Sequence, residues 1–461
     1  MRFDAAGRRR VDLRAVFALA LPMFLNSLVQ VVLNLTDTWF VAHISTQATA
    51  AVGAVYFLVM VFLFIPGGIG MGLQTLVAQS VGAGEPRVAG RLTWAALWLA
   101  LATVPFFWWI SELGPQLLAP FGLPDSIAGL ALRFWKPRMW GGPLSVAIWI
   151  FTSFFNATDR PRLTLYIMLV VAVANALLNA LFVRALGMGV AGSALATTCA
   201  LGIGTLLGLL AFVGPATRRV FGSPRAWASQ WDELRRVLAI GIPTGLFPAA
   251  DLIGLSLFQL MMARLGAIDG AASQLVMMIT SIAYLPAIGI GLAGTTLVGQ
   301  AVGAGDSAWA MKLGTRTVIL GVVYMGGLGI LLASFGGWML GAFLDAADPA
   351  SAATLVLARQ LLWIAAAYQV FDAVNLVSAF CLRGAGDVKL PPVFLLLASW
   401  GVFIPLTHAL AFKKGAGYVD FLPQFGLGAV GGWIAALVYI VLLAVILYAR
   451  WRSGAWKGLR V

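Results

Sequence analysis

The sequence predicts an all-α polytopic membrane protein, with twelve transmembrane helices arranged as two parallel six-helix bundles. Three observations lead there. The chain of 461 residues is 61% hydrophobic and only 10% charged, whereas a soluble domain is about half apolar and a quarter charged. Apolar stretches of about 20 residues, the length a helix needs to cross the hydrocarbon core, recur almost from end to end. An eleven-residue motif returns once, 221 residues downstream, and divides the chain into like halves.

Reading apolar runs between charged or Gly/Pro-rich breaks places helices at about 15–42, 49–82, 92–111, 129–157, 162–185, 187–214, 237–264, 270–302, 312–344, 352–382, 390–412 and 426–450. The start imitates a signal peptide, with Arg8-Arg9-Arg10 ahead of an apolar run and Ala18-Leu19-Ala20 resembling a cleavage site. Too few apolar residues precede that site, and the stretch continues to about Ala42, so it reads as a retained first span. Mean hydropathy over the whole chain is +0.94.

The net charge of +13 would suggest a nucleic-acid partner in a soluble protein. Its distribution gives another reading. With the N-terminus cytoplasmic, 22 of the 30 Lys and Arg fall on that side, while Glu112, Asp125, Asp345 and Asp348 lie in the opposite connections. That asymmetry is a topology signal and predicts both termini inside a bacterial inner membrane, with lipid and no nucleic acid as partner. Cys199 and Cys381 sit in apolar stretches without CxxC or His/Cys spacing, so neither a disulfide framework nor a zinc site is expected.

The repeat pairs Thr75-Leu-Val-Ala-Gln-Ser-Val-Gly-Ala-Gly-Glu85 with Thr296-Leu-Val-Gly-Gln-Ala-Val-Gly-Ala-Gly-Asp306, identical at eight of eleven positions. The same offset carries Pro22 onto Pro243. Six spans per half place both halves the same way up, which implies two bundles about an axis along the membrane normal, with the substrate path between them. The halves are expected at 1–214 and 237–461, joined by a basic linker over 215–236 that contains Gly222-Ser-Pro224. Pro22, Pro66, Pro143, Pro243, Pro248, Pro286 and Pro405 lie within spans, where some kink helices and others are merely tolerated.

Ionisable residues within spans are costly and usually face a cavity or a partner. Asp37, Asp251 and Asp372 qualify. Asn26, Gln30, Asn34 and Asp37 line one face of the first span, and Asn175, Asn179, Thr197 and Thr198 lie in the fifth and sixth. Three readings of this set stay open: oxygen ligands around Na+, a carboxyl at Asp37 that takes and releases a proton, or amides that bond helix to helix beside a hydrated acid. In the second half Asp251 and Gln259 share a face, Tyr368, Asp372 and Asn375 share another, and Gln274 lies in the eighth span. An aromatic ring beside a carboxylate in an apolar cavity suits an organic cation. Met261, Met262, Met277 and Met278 offer adaptable apolar surface nearby. Arg133, Lys136 and Arg138 read as an interfacial anchor. His43 and His408 are isolated, and no HExxH, GxSxG or Walker lysine motif occurs, so no enzyme and no cofactor is expected.

These residues together resemble the multidrug and toxic compound extrusion (MATE) family, in its NorM-like bacterial branch, over nearly the whole chain. The resemblance rests on the paired motifs, Thr36-Asp37-Thr38, Asn175 and Asn179 with Thr197 beyond, Gly241-Ile-Pro243 ahead of Asp251, and Tyr368-Gln-Val-Phe-Asp372 leading to Leu382-Arg-Gly-Ala-Gly-Asp387. It implies a V-shaped two-bundle fold that alternates between two facing states and exchanges Na+ or H+ for drug-like cations, acting as a monomer. It further implies an N-half cation site at Asp37, Asn175, Asn179 and Thr197, which would hold Na+ if that is the coupling ion. In the C-half it implies a site at Asp251, Tyr368 and Asp372, shared between coupling ion and substrate. The chain departs from the pattern at Asp251, where the branch usually has Glu, and at Asn179, where another branch has a second acid.

Two other functions compete with cation-driven export. A flippase for a lipid-linked oligosaccharide or related lipid carrier requires a cavity lined with Arg or Lys for the diphosphate. A passive channel requires a continuous polar lining.

Overall fold

In lipid every backbone N–H and C=O must be satisfied within the segment, so apolar stretches of this length become helices. The computed structural model describes residues 2–3, 9–10, 13–121, 123–223, 226–228, 230–341 and 349–459. Arg8, Pro224, Arg225, Asp345, Asp348 and Arg460, which entered the charge count or the linker, lie outside the described residues.

The first half runs through α1 (Leu13–Ala42), α2 (Thr46–Gly82), α3 (Pro86–Ala102), α4 (Val104–Glu112), α5 (Gly114–Leu118), α6 (Asp125–Trp140), α7 (Gly142–Ala157), α8 (Pro161–Asn179) and α9 (Gly189–Val213). After the short α10 (Pro215–Phe221) the second half comprises α11 (Trp231–Leu265), α12 (Ala267–Gly303), α13 (Ser307–Gly341), α14 (Pro349–Gly384), α15 (Leu390–Ala398), α16 (Ile404–Ala411) and α17 (Gly428–Ser453). A two-residue antiparallel pair, Arg2–Phe3 with Arg9–Arg10, precedes them. Among the described residues eleven helical segments are long and apolar enough to span a membrane. The twelfth span is α6 followed by α7, broken at Gly141. Pro143 lies in the first turn of α7, where a missing N–H costs nothing, so it starts a helix rather than kinking one, whereas Pro405 lies within the continuous helix Leu390–Ala411, directly after a π-helical stretch over Ser399–Phe403.

The halves meet through matched helix pairs, α2 with α11 and α1 with α12. Gly68 of α2 lies against the backbone of Gly241 and Gly245 in α11, while Gly289 of α12 lies against Met23 and Phe24 in α1. Gly68 and Gly289 differ by the 221-residue offset, as do Phe24 and Gly245, so this is one contact made twice about a pseudo-twofold axis. A Cβ on any of these glycines would collide with the opposing helix, which explains why small residues recur there.

The repeated motif makes the tightest crossing. Gly82 abuts the backbone carbonyl of Gln300, and Gly303 abuts that of Gln79. Around it the hydroxyl of Thr75 donates to the Arg383 carbonyl (2.9 Å) and the amide of Gln79 to that of Gly384 (3.0 Å). Their repeat partners do the same on the other side: Thr296 donates to the Asn156 carbonyl (3.3 Å) and Gln300 to that of Ala157 (3.1 Å). Gly84 and Gly305, one motif position each, end α2 and α12 with φ of +77° and +75°, a left-handed turn that glycine adopts without strain. Where the second half has Gly386 at φ +93°, the first has Asp159 at φ +59°, the one non-glycine residue with positive φ among the described residues. Its carboxylate accepts from Gln300 Nε2 at 3.2 Å.

All direct hydrogen bonds between the helices of the two halves, including Arg91 to Glu233 at 2.5 Å, lie toward the end of the bundle that carries both chain termini. Among the described residues these bonds hold the two halves together on the terminus-bearing side. A cavity of about 880 Å³ lined by Leu19, Arg160, Arg162, Leu297 and Trp309 lies beside this crossing, away from the membrane acids.

Gly82→Leu and Gly303→Leu each place a side chain where the partner backbone stands. In a Cys199→Ser background, a cysteine introduced at the buried Ala78 is expected to be unreactive toward an impermeant maleimide in the parent and to label severalfold faster in either leucine variant. Unchanged labelling would show that this crossing is not what closes that side.

Candidate functional site

In the first half three elements converge on Asp37. Asn175 and Asn179 are one turn apart on α8 and fully buried, and Thr197 faces them from α9. Asp37 Oδ1 accepts from Asn175 Nδ2 at 3.0 Å and from Asn179 Nδ2 at 2.8 Å, while Oδ2 accepts from the Thr197 hydroxyl at 2.8 Å. Immediately after Asn179 the chain enters a π-helical turn over Ala180–Ala185, a distortion common beside functional residues. Three charge-assisted hydrogen bonds to Asp37 thus join α1 to α8 and α9. The Oδ1 atoms of Asn175 and Asn179 are buried and have no hydrogen-bond partner among the described residues. Rotation of the amides would bring two carbonyl oxygens beside a carboxylate and a hydroxyl, an all-oxygen set that fits a hard monovalent cation.

The rest of the predicted stripe divides. Asn26 is buried with an unpartnered Oδ1, Gln30 reaches only the Met168 sulfur at 4.0 Å, and Asn34 is exposed. Thr198 turns away from Asp37 and donates to the Pro137 carbonyl at 3.0 Å.

In the second half Asp251 on α11 and Asp372 on α14 act electrostatically on one another. Tyr284 on α12, Tyr368 on α14 and Tyr439 on α17 all lie within reach of both charges. Three of the chain's eight tyrosines thus stand in the field of two like charges, with the Tyr439 ring stacked on Phe403 at 4.7 Å between centroids. Asn375 Nδ2 donates to Asp372 Oδ1 at 3.3 Å, as the spacing implied. Gln259 and Gln274 are brought together, Nε2 to Oε1 at 2.7 Å, with Met277 beside them, but no hydrogen bond takes either to the acids among the described residues. Tyr284 and Tyr439 do not stand out in the sequence, because α17 carries no acid and the one acid of α12, Asp269, lies in its first turn, so no spacing points to them.

Other polar groups are structural. His43 is bonded through Nδ1 to the Trp39 carbonyl at 2.8 Å, and His408 Nε2 accepts from the backbone of Tyr418 at 2.9 Å. Asp387 is tied to Arg450 at 2.7 Å. No cluster of three or more His, Cys, Asp or Glu suited to a metal occurs among the described residues.

Apolar helices long enough to span a membrane, with acids at membrane depth in both halves, define a multi-pass membrane protein. The MatE family pattern matches residues 22–181 and 253–408. The chain is 31% identical to the probable multidrug resistance protein NorM of Mesorhizobium japonicum, covering 96% of this chain and 94% of that one. It is 29% identical to the protein of the same name from Bradyrhizobium diazoefficiens, covering 95% and 92%. Among solved structures it resembles a MATE protein in complex with MaL6, with a TM-score of 0.86 at 18% identity over 97% of each chain. It also resembles the outward-facing conformation of a multidrug resistance MATE family transporter, with a TM-score of 0.84 at 18% identity over 96% of each. The chain belongs to the MatE family of transporters.

Thr197→Val removes the donor to Asp37 Oδ2 and is expected to cost about 1–2 kcal/mol of stability. Thr197→Ser should restore most of it. Thermal unfolding in detergent checks both, and a valine variant as stable as the parent would mean that the carboxylate does not depend on this bond.

Proposed function

We propose that this protein is a secondary antiporter that exports amphipathic, mainly cationic small molecules in exchange for Na+ or H+. The observation that carries the proposal is the division of acids between halves: one carboxylate in a cage of amides and hydroxyl, and two that interact with each other and with tyrosines from three helices. The first set suits a small coupling ion, with Asp37, Asn175, Asn179 and Thr197 as ligands to Na+ or Asp37 alone as the proton carrier. The second suits an organic cation, with Asp251 and Asp372 as counter-charge, Tyr368, Tyr284 and Tyr439 as ring faces, and Asn375, Gln259 and Gln274 as polar lining.

Linkage requires that the ion favour one facing state over the other. Asp251 and Asp372 are disfavoured as a pair of bare charges, so drug and ion relieve the same repulsion and compete for it. In this reading residues 1–214 and 237–461 rock about the crossing of α2 and α12, joined by 215–236. Both termini are cytoplasmic in a bacterial inner membrane, and the protein works as a monomer. The relatives named as multidrug resistance proteins support the substrate class. A diphosphate-handling flippase is less well supported, because one arginine, Arg138, and not a cluster, stands near the membrane acids.

The test is transport of a fluorescent organic cation in proteoliposomes with a sodium or a proton gradient imposed separately. One of the two gradients is expected to drive uptake, and Asp37→Asn and Asp372→Asn each to reduce the driven rate by about tenfold or more. Wild-type rates in both variants would overturn the proposal.

A further inference from the structure

The basic linker between the halves has no part in the proposed function. Residues 215–236 carry five arginines against two acids, and one of those acids, Glu233, is bonded to Arg91 of α3. Where the segment runs gives the charge a use.

Gly90, Trp94 and Trp98 stand four residues apart on one face of α3. The linker follows that face. The Phe221 carbonyl abuts Gly90, the Trp94 indole donates to the Ser223 carbonyl, and the Trp98 indole donates to the Trp227 carbonyl at 2.8 Å. Ser223 is held a second time, its hydroxyl donating to the Phe212 carbonyl at 2.6 Å. Gly90 and Trp98 are about 12 Å apart along the helix at 1.5 Å per residue. After α10 the chain therefore climbs from the terminus-bearing end toward the middle of the membrane, and comes back to the level of Arg91 at Glu233.

At the top of the climb the exposed groups are apolar. Trp227 is 60% exposed, and Trp98, bonded to it, is 41% exposed. Leu101, one turn beyond Trp98, is 58% exposed, so these rings extend a face of α3 that a membrane span turns to acyl chains. At the foot the exposed groups are basic. Gly222 lies against the Arg87 side chain, and Arg87, Arg218 and Arg219 are all exposed. Guanidinium groups near the surface with indoles deeper match the two parts of a phospholipid, the phosphate and the start of its acyl chains.

We propose that the linker and the face of α3 beneath it form a binding surface for an anionic phospholipid in the leaflet on the terminus-bearing side. Arg87, Arg218 and Arg219 take the phosphate, while Trp98 and Trp227 sit at the acyl boundary. A free phosphate has no use for the indoles, and a water-soluble partner does not reach a face continuous with the lipid-facing side of α3. The linker is bonded to the first half and runs directly into α11 of the second, so a lipid seated on it touches both.

The experiment uses the full-length protein with Cys199→Ser and Ala228→Cys, the introduced thiol carrying an NBD maleimide while the buried Cys381 stays unlabelled. It is reconstituted into phosphatidylcholine vesicles that contain, at equal mole fraction, either phosphatidylglycerol or phosphatidylcholine bearing a doxyl quencher high on the acyl chain. Quenching by the glycerol lipid is expected to exceed that by the choline lipid by about threefold or more, and added salt to lower the ratio. Arg218→Gln combined with Arg219→Gln should bring the ratio close to one. Equal quenching by the two lipids in the parent, no quenching by either, or an unchanged ratio in the glutamine variant would overturn the proposal. If soluble glycerol phosphate abolishes the ratio, the arginines bind a free phosphate ester and the lipid surface is overturned as well. If the glutamine variant fails to fold, the parent decides alone: a ratio above one that falls with salt supports the surface, and a ratio indifferent to salt removes it.

Discussion

Everything in this structure hangs on the close crossing of α2 and α12. Between helices in lipid there is little hydrophobic gain, and association comes from tight packing and interhelical hydrogen bonds. Gly82 on Gln300 and Gly303 on Gln79 provide the first. Thr75, Gln79, Thr296 and Gln300 provide the second, each reaching the carbonyl end of a helix in the other half. Because the same surface is used on both sides, the contact is self-complementary like that of a twofold dimer. A self-complementary contact confined to one end is a natural pivot for two rigid bundles.

The crossing is not fully symmetric: Gln74 donates across it to the Leu292 carbonyl and the Thr296 hydroxyl, both at 2.9 Å, whereas its repeat partner Thr295 donates to the Phe380 carbonyl of its own half. Asp159 occupies a left-handed position where the other half has Gly386, and its carboxylate is caught by Gln300. Asp tolerates that backbone better than most side chains do, yet glycine would be freer. The additional bond is made only at the first half's contribution to the crossing.

Beyond the pivot the halves diverge in chemistry while sharing a scaffold. The first half surrounds its carboxylate with donors on α8 and α9 and places an arginine at the break in its fourth span. The second brings tyrosines from three helices into the field of two carboxylates. Asp37 and Asp251 are not related by the repeat offset, which carries Asp37 onto Phe258. Phe258 instead packs among Phe403 and Trp433. Duplication therefore accounts for the frame and the crossing, and later divergence for the two sites.

The sequence by itself determined the membrane class, the two halves and their common orientation, because hydropathy and a repeat offset are properties of the chain read in one dimension. The cage about Asp37 was also legible, since Asn175 and Asn179 share a helix face by simple periodicity. What only the tertiary structure decided is which helices face one another. Tyr284 and Tyr439 interact with Asp251 and Asp372 from helices other than the two that carry those acids, and Gln259 turns to Gln274 rather than to Asp251. Arg138 looked like its neighbour Lys136, yet Lys136 pairs with Glu112 while Arg138 Nη1 is enclosed without a hydrogen-bond partner among the described residues. The motif glycines were visible as a repeat, but their purpose was not, because a Cβ is excluded only by a partner helix that lies 221 residues away in the chain.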